Sequence, residues 1–419
     1  MGADYKVKDI GLAAAGKRQI EWAESRMPVM QQLRERYAKT KPLKGVRVAG
    51  CLHVTKETAV LVRAIREAGG EPVWSGCNPL STNDEIAAAL AADGYPVYAW
   101  HGLDTKDYYW CIDRVLEREP HLTLDDGADL IFTTHSKYPD LAKKVKGGTE
   151  ETTTGVHRLR AMAKDGKLKY PVIAVNDAET KWDFDNIYGT GQSTLDGVLR
   201  ATSILIAGKC VVIAGYGHCS RGIAMRAKGM GARVVVTEID PIKALKAAME
   251  GMEVQTMDDA ADEGDLFITA TGMKDVIVDR HFQTMKDGAI MCNSGHYNVE
   301  IDGPALEKAS KSKREIRPNC EEFVMKDGRR LYLLGQGRLV NLVAAEGHPS
   351  EVMDMSFANQ FLSLIRLAKE AGQMKPLVYD VSREQDAEVA MIKLKSMEFG
   401  LDKLTKEQEK YITDYSAGT

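Results

Sequence analysis

The sequence predicts an α/β protein built from two doubly wound parallel-sheet domains and a short helical C-terminal tail. Strand-like apolar runs alternate with amphipathic helical stretches along most of the 419 residues, a pattern typical of parallel sheets with helices on both faces. A glycine-rich turn joins a strand to a helix near the middle of the chain, and polar residues gather where the predicted strands end. A chain of this length can bury two large cores.

The first half of the chain begins with a helical pattern. Residues 6–38 have apolar positions at three- and four-residue spacing, which predicts helix. Strands and helices then alternate as GVRVAGCL, TKETAVLVRAIREAG, EPVWSG, NDEIAAALAADG, PVYAW, LDTKDYYWCIDRVLE and LTLDDG. We expect these elements to form a first α/β region that ends near residue 183.

A second α/β region begins with the helical pattern STLDGVLRATSILI and includes the strands LFITATG and AIMCNSGH. Its residues 211–240 read as a strand, a glycine turn, a helix and a second strand that ends at Glu238. A dinucleotide-binding βαβ unit of the Rossmann type requires this order. Gly215 permits the tight turn, and Gly217 lets the backbone approach a pyrophosphate. Because the Glu238 carboxylate would repel a 2′-phosphate, the pattern favours NAD over NADP.

One position departs from this pattern. Ser220 replaces the usual third glycine, and Gly222 follows two residues later. Since the third glycine serves close packing of helix on strand, we expect the helix to lie slightly further from the sheet.

Helical patterning returns after Pro349 in EVMDMSFANQFLSLIRLAKEAG, and a polar, lysine-rich stretch follows. Because the dinucleotide unit is central, we expect the flanks on both sides to build the other domain. The predicted substrate domain comprises residues 1–183 with 346–383, the NAD domain residues 187–343, and the C-terminal tail residues 384–419.

Composition excludes several classes of protein. The net charge is −4 and there is no basic run, which gives no case for nucleic acid. The seven cysteines lie far apart with no CxxC pair, so we expect reduced thiols, no disulfide framework and no metal site. The charged N-terminus is no secretory signal, and no apolar run is long enough for a membrane helix. We therefore expect a cytoplasmic protein.

Polar groups that carry chemistry follow the predicted strands. Each of these groups, taken alone, can be explained by a structural role as a helix cap, a turn or an i,i+4 ion pair. Their convergence on one cleft favours a site, because ligands bind at the carboxyl ends of parallel strands. The groups are His53 with Thr55 and Glu57, Asp126, residues 150–157 (EETTTGVH), Asn176, Lys181 with Asp185 and Asn186, residues 293–296 (NSGH), Asn341 and His348.

These residues, in this order, resemble the S-adenosylhomocysteine hydrolase family. The matching segments span about residues 44–360 and include HVTKETAVL, SGCNPLST, LDDGADL, EETTTGVHRL, VNDAETKWDFDNIYGTGQS, IAGYGHCSRG, CNSGHYNVEID and DGRRLYLLGQGRLVNLVAAEGHPS. The GTGQST run and the short C-terminus are similar to archaeal members.

The resemblance implies reversible hydrolysis of S-adenosyl-L-homocysteine to adenosine and homocysteine with tightly held NAD. In this chemistry the ribose 3′-hydroxyl is oxidised to a ketone, which acidifies the C4′ proton. Loss of that proton expels homocysteine, water adds to the enone, and the ketone is reduced again. Small molecules are then the partners, and a homotetramer is expected from the family.

The resemblance also implies roles for individual residues. Lys181 is expected as the base for 3′-oxidation, with a depressed pKa, and Asp185 at the 2′- and 3′-hydroxyls. Asp126 is expected as the base at C4′ or a partner in proton transfer at C5′. His53 should serve the leaving thiol and the incoming water, and Glu151 should orient the ribose.

Further roles follow from the same resemblance. Asn186 is expected near the nicotinamide, Thr55 and Glu57 at the adenine, and His296 and His348 at the closure of the cleft. The expected NAD-binding residues are Thr152, Thr153, Thr154, Asn186, Gly215, Gly217, His218, Cys219, Ser220, Arg221, Gly222, Glu238, Lys243, Ser294, Gly295, His296 and Asn341.

This chain differs from the family pattern in four places. Thr190 stands where members often have cysteine, the glycine loop reads GHCSRG, and Lys243 replaces a common asparagine. Lys243 and Arg221 would soften the bias against a 2′-phosphate. The sequence also lacks the C-terminal lysine and tyrosine that reach a neighbouring subunit's NAD in many members, so we expect fewer such contacts.

Three alternatives remain open at this point. An S-inosyl-L-homocysteine hydrolase would use the same chemistry, but Glu57 would face a 6-oxo acceptor. A simple dehydrogenase would release NADH. An inactive regulatory paralogue should have lost catalytic residues, which are all present here.

Overall fold

Two sheets organise the computed structural model, which describes residues 4–416. The strands of the first half are β1 (Arg47–Cys51), β2 (Glu71–Ser75), β3 (Val97–Tyr98), β4 (Leu122–Asp125), β5 (Gly147–Glu150) and β6 (Val172–Ala174). The later strands are β7 (Cys210–Ala214), β8 (Arg233–Thr237), β9 (Glu253–Val254), β10 (Leu266–Thr269), β11 (Ile290–Asn293), β12 (Ser310–Arg317), β13 (Cys320–Met325), β14 (Arg330–Leu334) and β15 (Val378–Asp380).

The first sheet has the order β15-β6-β5-β4-β1-β2-β3 and is parallel throughout. The second has the order β12-β13-β14-β11-β10-β7-β8-β9. The doubly wound α/β prediction is thereby confirmed. The second sheet also carries an antiparallel extension, since β13 pairs antiparallel with β12 and β14. Sequence analysis did not anticipate this hairpin, whose outer strand SKSKREIR is almost wholly exposed.

Helices cover both faces of the sheets. Those before β7 are α1 (Ala13–Ser25), α2 (Pro28–Thr40), α3 (Lys56–Glu67), α4 (Asp84–Ala92), α5 (Thr105–Leu116), α6 (Asp129–Lys137), α7 (Pro139–Ala142), α8 (Thr153–Lys164), α9 (Glu179–Lys181) and α10 (Thr190–Thr202). Those after β7 are α11 (His218–Gly229), α12 (Pro241–Met249), α13 (Met257–Ala260), α14 (Asp279–Phe282), α15 (Gly303–Ala309), α16 (Val340–Val343), α17 (Ser350–Glu370), α18 (Arg383–Ser396) and α19 (Lys406–Thr413). A π-helix, Trp182–Gly189, joins α9 to α10.

The N-terminal segment differs from the single helical stretch predicted for residues 6–38. Lys6 forms a parallel bridge with Tyr98 at the edge of the first sheet. The helical part is divided into α1 and α2, and Pro28 begins α2. Proline is favoured at the first position of a helix, because its missing N–H has no partner there.

The chain returns to the first sheet after completing the second. β15 pairs with β6, and the long helix α17 packs on α2, α3 and β5. α18, which begins the predicted tail, packs on α17 and α2, and its Lys393 forms an ion pair with the buried Asp354 at 2.9 Å. The returning segment therefore brings polar residues of α17 beneath the strand ends of the first sheet.

Two general features complete the fold. All seven cysteines are unpaired, and six of them are buried. In residues 4–416, no helix combines the length and apolar character needed to cross a bilayer.

Candidate active site

A cavity of about 1010 Å³ lies at the carboxyl ends of both sheets. Segments that follow β1, β4, β5 and β6 line one side, and segments that follow β7, β8, β10 and β11 line the other. All but three of the site residues named from the sequence line this cavity. Those that line it are His53, Thr55, Glu57, Asp126, Glu151, Thr152, Thr153, Thr154, Lys181, Asp185, Asn186, Gly215, Gly217, His218, Cys219, Glu238, Lys243, Ser294, Gly295, His296, Asn341 and His348.

Asp126 lies between two imidazoles. Its Oδ2 is 3.3 Å from His53 Nε2, and its Oδ1 is 3.4 Å from His296 Nδ1. The carboxylate is buried, and Oδ1 has no hydrogen-bond partner in the protein. Burial raises the pKa of Asp126, although His296 and Lys181 oppose the shift. Burial lowers the pKa of His53 to about 3, and His348 adds to the effect, so this imidazole is neutral at neutral pH.

Lys181 forms the second cluster of the cavity. Its Nζ donates to Asn186 Oδ1 at 2.7 Å and lies 3.2 Å from Asp185 Oδ2 and 3.7 Å from Glu151 Oε1. Burial lowers the pKa of Lys181, but Asp185 and Glu151 outweigh it and raise the pKa above its ordinary value. The expectation of a depressed lysine pKa is therefore wrong for this arrangement, because two carboxylates stabilise the ammonium form.

The π-helix places Asp185 between the lysine and a histidine. His348 Nδ1 hydrogen-bonds Asp185 Oδ1, and His348 Nε2 lies 3.2 Å from Thr190 Oγ1. Burial opposes ionisation of Asp185, but Lys181 and His348 outweigh it and hold its pKa below the usual range. Asp185 is therefore a fixed negative charge at the junction of the two sheets. A π-helical turn is a frequent feature of functional sites.

Sequence analysis missed two polar side chains on α17 that support these carboxylates. Ser356 Oγ donates to Asp185 Oδ2 at 3.0 Å, and Gln360 Nε2 donates to Glu151 Oε2 at 2.6 Å. Burial raises the pKa of Glu151 to about 7, against the opposing effect of Lys181. The available signal was the run of polar residues inside the otherwise apolar stretch MSFANQFLSL.

The glycine turn after β7 forms the other end of the cavity. Gly215 has a φ of +91°, which favours glycine. A Cβ at Gly217 would meet no atom within 4 Å, so this position opens onto the cavity. No side chain caps the start of α11, which leaves its first amides available to a ligand. Glu238, at the end of β8, accepts from the amides of Tyr216 and Ile239 at 2.7 Å.

Comparison with known proteins identifies the family. Residues 4–136 match the profile described as S-adenosyl-L-homocysteine hydrolase, and residues 186–347 match that of its NAD binding domain. The chain belongs to the S-adenosyl-L-homocysteine hydrolase family. Adenosylhomocysteinase of Aeropyrum pernix is 59% identical over 412 residues, covering 98% of this chain and 99% of that protein. Adenosylhomocysteinase of Aquifex aeolicus is 56% identical over 99% of this chain and its own full length. The S-inosyl-L-homocysteine hydrolase of Methanopyrus kandleri is 54% identical, covering 99% of this chain and 98% of that protein.

NAD is the cofactor of this family's binding domain, and the cavity fits it. Asn341 is buried, and its Oδ1 has no partner in the protein. Its Nδ2 lies 3.1 Å from His348 Nε2. An acceptor left open in this way suits the carboxamide N–H₂ of a nicotinamide. The open Gly217, the uncapped helix and Glu238 suit the pyrophosphate and a ribose.

Three residues named for NAD binding do not line the cavity. Arg221 pairs with Glu250 at 3.0 Å and turns away from it, so only Lys243 remains to soften the bias against a 2′-phosphate. Ser220 is buried, and its Oγ donates to the Ala270 carbonyl at 2.9 Å. At Gly222 a Cβ would lie 1.9 Å from the carbonyl oxygen of Ile187. This glycine therefore permits α11 to approach the π-helix, whereas the sequence analysis had named it as an NAD-binding residue.

The start of α3 carries Thr55 and Glu57, the two residues expected at the adenine, and both line the cavity. Thr55 Oγ1 caps the helix by accepting from the Thr58 amide at 3.4 Å. Glu57 is buried, accepts from Ser350 Oγ at 2.5 Å, and lies 3.4 Å from Lys56 Nζ. These contacts fix the carboxylate of Glu57 at the cavity wall.

Proposed function

We propose that this protein hydrolyses S-adenosyl-L-homocysteine reversibly to adenosine and L-homocysteine. The observation that carries the proposal is the position of Asp126. It lies between His53 and His296 in a cavity that also contains the Lys181 cluster and the glycine turn. One cavity thus joins a redox cofactor site to a base flanked by two proton carriers.

The thioether carbon of the substrate resists direct attack by water, so it must first be activated. NAD, when bound, oxidises the ribose 3′-hydroxyl and later restores it, so that the cofactor leaves the cycle unchanged. The protein supplies orientation, proton transfer and exclusion of water.

The Lys181 cluster would hold the ribose. Its ammonium is suited to orient the 3′-oxygen, and the hydroxyl proton needs an acceptor close to it. Glu151 Oε1 is 3.7 Å from Lys181 Nζ and has no hydrogen-bond partner, and the Glu151 pKa of about 7 lets it take up a proton. We therefore assign proton storage to the Lys181–Glu151 pair rather than to a neutral lysine alone. Asp185 keeps the lysine in place.

Asp126 would act at C4′. A ketone at C3′ acidifies the C4′ proton, and a carboxylate with a raised pKa is a better base than an exposed one. Removal of this proton expels homocysteine thiolate from C5′. The proton then passes from Asp126 to His53 across 3.3 Å, and from His53 to the leaving sulfur. In the second half, His53 accepts a proton from the water that adds to C5′ and passes it to Asp126, which returns it to C4′.

Glu57 would select the base. A carboxylate accepts from the 6-amino group of adenine, whereas the 6-oxo group of hypoxanthine would leave two acceptors facing each other. The Glu57 side chain is buried, so such a mismatch would not be relieved by water. We therefore favour the adenosyl substrate over the inosyl one.

The test has four parts. Denaturation of the purified protein should release NAD, S-adenosyl-L-homocysteine should yield homocysteine, and reduced cofactor should not accumulate as free NADH. A 3′-deoxy analogue, which cannot become a ketone, should not be cleaved. Cleavage of that analogue, or stoichiometric release of NADH, would refute the proposal.

We further propose that residues 1–183 with 346–383 act as the substrate domain and 187–343 as the NAD domain. The pairing of β15 with β6 supports the return of the chain to the first unit. Cytoplasmic location is supported by seven unpaired cysteines.

A homotetramer is supported by an apolar stripe on α12. Ile242 and Met249 on it are 78% and 79% exposed, and Ile239 before it is 91% exposed. Exposed apolar patches of this kind mark interaction surfaces. Light scattering on wild type and Met249→Lys would test whether this stripe forms a contact between subunits. An unchanged mass of the assembly in the variant would exclude this surface.

A further inference from the structure

Three adjacent strands end in residues of metal-ligating type. β1 lies between β4 and β2 in the first sheet. The segment after β1 carries His53, the segment after β2 carries Cys77, and Asp126 directly follows β4. One ligand atom of each lies within 4.8 Å of the others. No spacing motif indicates this group, because its members are far apart in sequence.

His53 is oriented as a metal ligand would be. Its Nδ1 lies 2.6 Å from Ser81 Oγ, which leaves Nε2 to face Asp126. Ligating histidines regularly bond a second group through the other ring nitrogen. Ser81 suits either tautomer of His53. Its hydroxyl can donate to an unprotonated Nδ1, or it can accept from a protonated Nδ1 while it donates to the Asn78 carbonyl at 3.4 Å.

Asp126 supplies the second independent observation. The residue is 3% exposed, and its Oδ1, which lies 3.4 Å from His296 Nδ1, makes no hydrogen bond. A buried carboxylate with an open acceptor has room for one more electropositive neighbour. A divalent cation with a carboxylate, a thiolate and a neutral imidazole would sum to zero charge, which suits a buried position.

We propose that His53, Cys77 and Asp126 form a binding site for a thiophilic divalent cation such as Zn²⁺, and that its occupation switches off the reaction. The inhibitory part rests on the proposed function, because the cation would engage the base at C4′ and the proton carrier at C5′. The binding part is independent of it.

When the cation binds, Cys77 releases its thiol proton to solvent. An ordinary cysteine has a pKa of about 8.5, so we take Cys77 to be a thiol before the cation binds. The cation replaces that proton and forms a metal–sulfur bond. Ligand distances of ~2.0–2.3 Å require the three side chains, whose ligand atoms lie within 4.8 Å of one another, to approach the cation together. His53 and Asp126 line the cavity, so the fourth position faces it and completes the three-ligand arrangement of an open zinc site.

Cobalt provides the direct readout. Co²⁺ bound through a thiolate gives a near-ultraviolet sulfur-to-cobalt charge-transfer band, which can be followed in the NAD-loaded enzyme by difference spectroscopy. We expect a saturable band in wild type, release of one proton per cation, and loss of activity with Zn²⁺ in step with occupancy.

Three variants sharpen the test. Cys77→Ser should lose the band and reduce Zn²⁺ sensitivity at least about 10-fold. Ser81→Ala, which leaves the ligands in place, should weaken Co²⁺ binding ~10–100-fold. Cys111→Ser removes a buried thiol of α5 outside the cavity lining, and should change neither property.

Two results would overturn the proposal. One is the absence of a band in wild type. The other is an unchanged band in Cys77→Ser, which would assign the thiolate to another cysteine such as Cys219, also in this cavity. Since the band is measured without substrate, failure of the proposed hydrolysis would leave this result interpretable.

Discussion

Tyr297 donates from its hydroxyl to the backbone carbonyl of Gly127 at 2.9 Å, and this hydrogen bond joins the two halves of the cavity wall. Gly127 follows Asp126, the proposed base, on the first sheet, whereas Tyr297 follows His296 on the second. Arg158 contacts both the tyrosine hydroxyl and the Gly127 carbonyl. Burial raises the pKa of Tyr297, so the phenol stays protonated and able to donate at neutral pH. The bond thus fixes the position of Asp126 relative to His296.

Tyr297→Phe should loosen this contact and leave the ring in place. Loss of one net hydrogen bond of about 0.5–1.5 kcal/mol corresponds to a rise in KM of roughly 2- to 12-fold. We expect kcat to change less, because no reacting group is removed. Steady-state kinetics would measure both, with Tyr411→Phe on the exposed α19 as the control. Equal kinetics for the two variants would exclude a role of the Tyr297–Gly127 hydrogen bond in joining the two sides of the cavity.

Gly127→Ala should impair activity more severely. Gly127 has a φ of +95°, and a Cβ there would lie 2.1 Å from His296 Nε2. The imidazole or the Asp126 loop must then move by an ångström or more, which can cost ~10²-fold in rate. Gly166→Ala is the matched control, since Gly166 also has a positive φ but no atom within 4 Å of its Cβ position. If both variants lose activity equally, backbone strain alone is responsible.

Gly217→Ala should weaken NAD binding without harming the fold. Its Cβ would meet no protein atom within 4 Å, and its φ of −72° is accessible to alanine. The methyl group would occupy the path of the pyrophosphate, so we expect NAD affinity of the stripped enzyme to fall ~10-fold or more. Gly229→Ala, at the other end of α11 and equally open, should bind NAD as wild type does. Normal affinity in Gly217→Ala would place the pyrophosphate elsewhere.

Glu57→Gln should shift the choice of base. A glutamine amide can donate to a 6-oxo group, and Ser350 Oγ can still donate to its carbonyl oxygen. We expect the ratio of kcat/KM for the adenosyl over the inosyl thioether to fall ~10-fold or more, measured with both substrates in parallel. An unchanged ratio would mean that another residue reads position 6.

Asp125→Asn should alter the pH dependence of stability. Burial raises the pKa of Asp125 from 3.8 to about 8. The stability that comes from its proton is complete below about pH 4 and is lost as the pH rises through about 8. The variant cannot ionise, so its free energy of unfolding should fall less than that of wild type over this window. Denaturant titrations at several pH values would show it, and parallel curves for the two proteins would contradict the assignment.

Much of the site could be predicted because its residues follow strands. His53 and Asp126 each come just after an apolar run, and parallel strands direct their carboxyl ends to one edge. The strands β5 and β15 were not predicted, since GGTE is glycine-rich and VYD is short and partly exposed. The break before Pro28 was missed because apolar spacing continues across it.

The sequence by itself determined which groups are present: a dinucleotide turn, the carboxylates and histidines at strand ends, and an acid that selects NAD. Only the tertiary structure decided the protonation states of these groups and the residues that they contact. Lys181 stays charged because Asp185 and Glu151 lie within 4 Å of it, and Asp126 has a raised pKa because it is buried, against the opposing effect of His296. Arg221 faces Glu250 instead of the cavity, and Cys77 comes close to His53 and Asp126. Protonation and partnership depend on distance and solvent access in space, and these are set by packing between segments far apart in the chain.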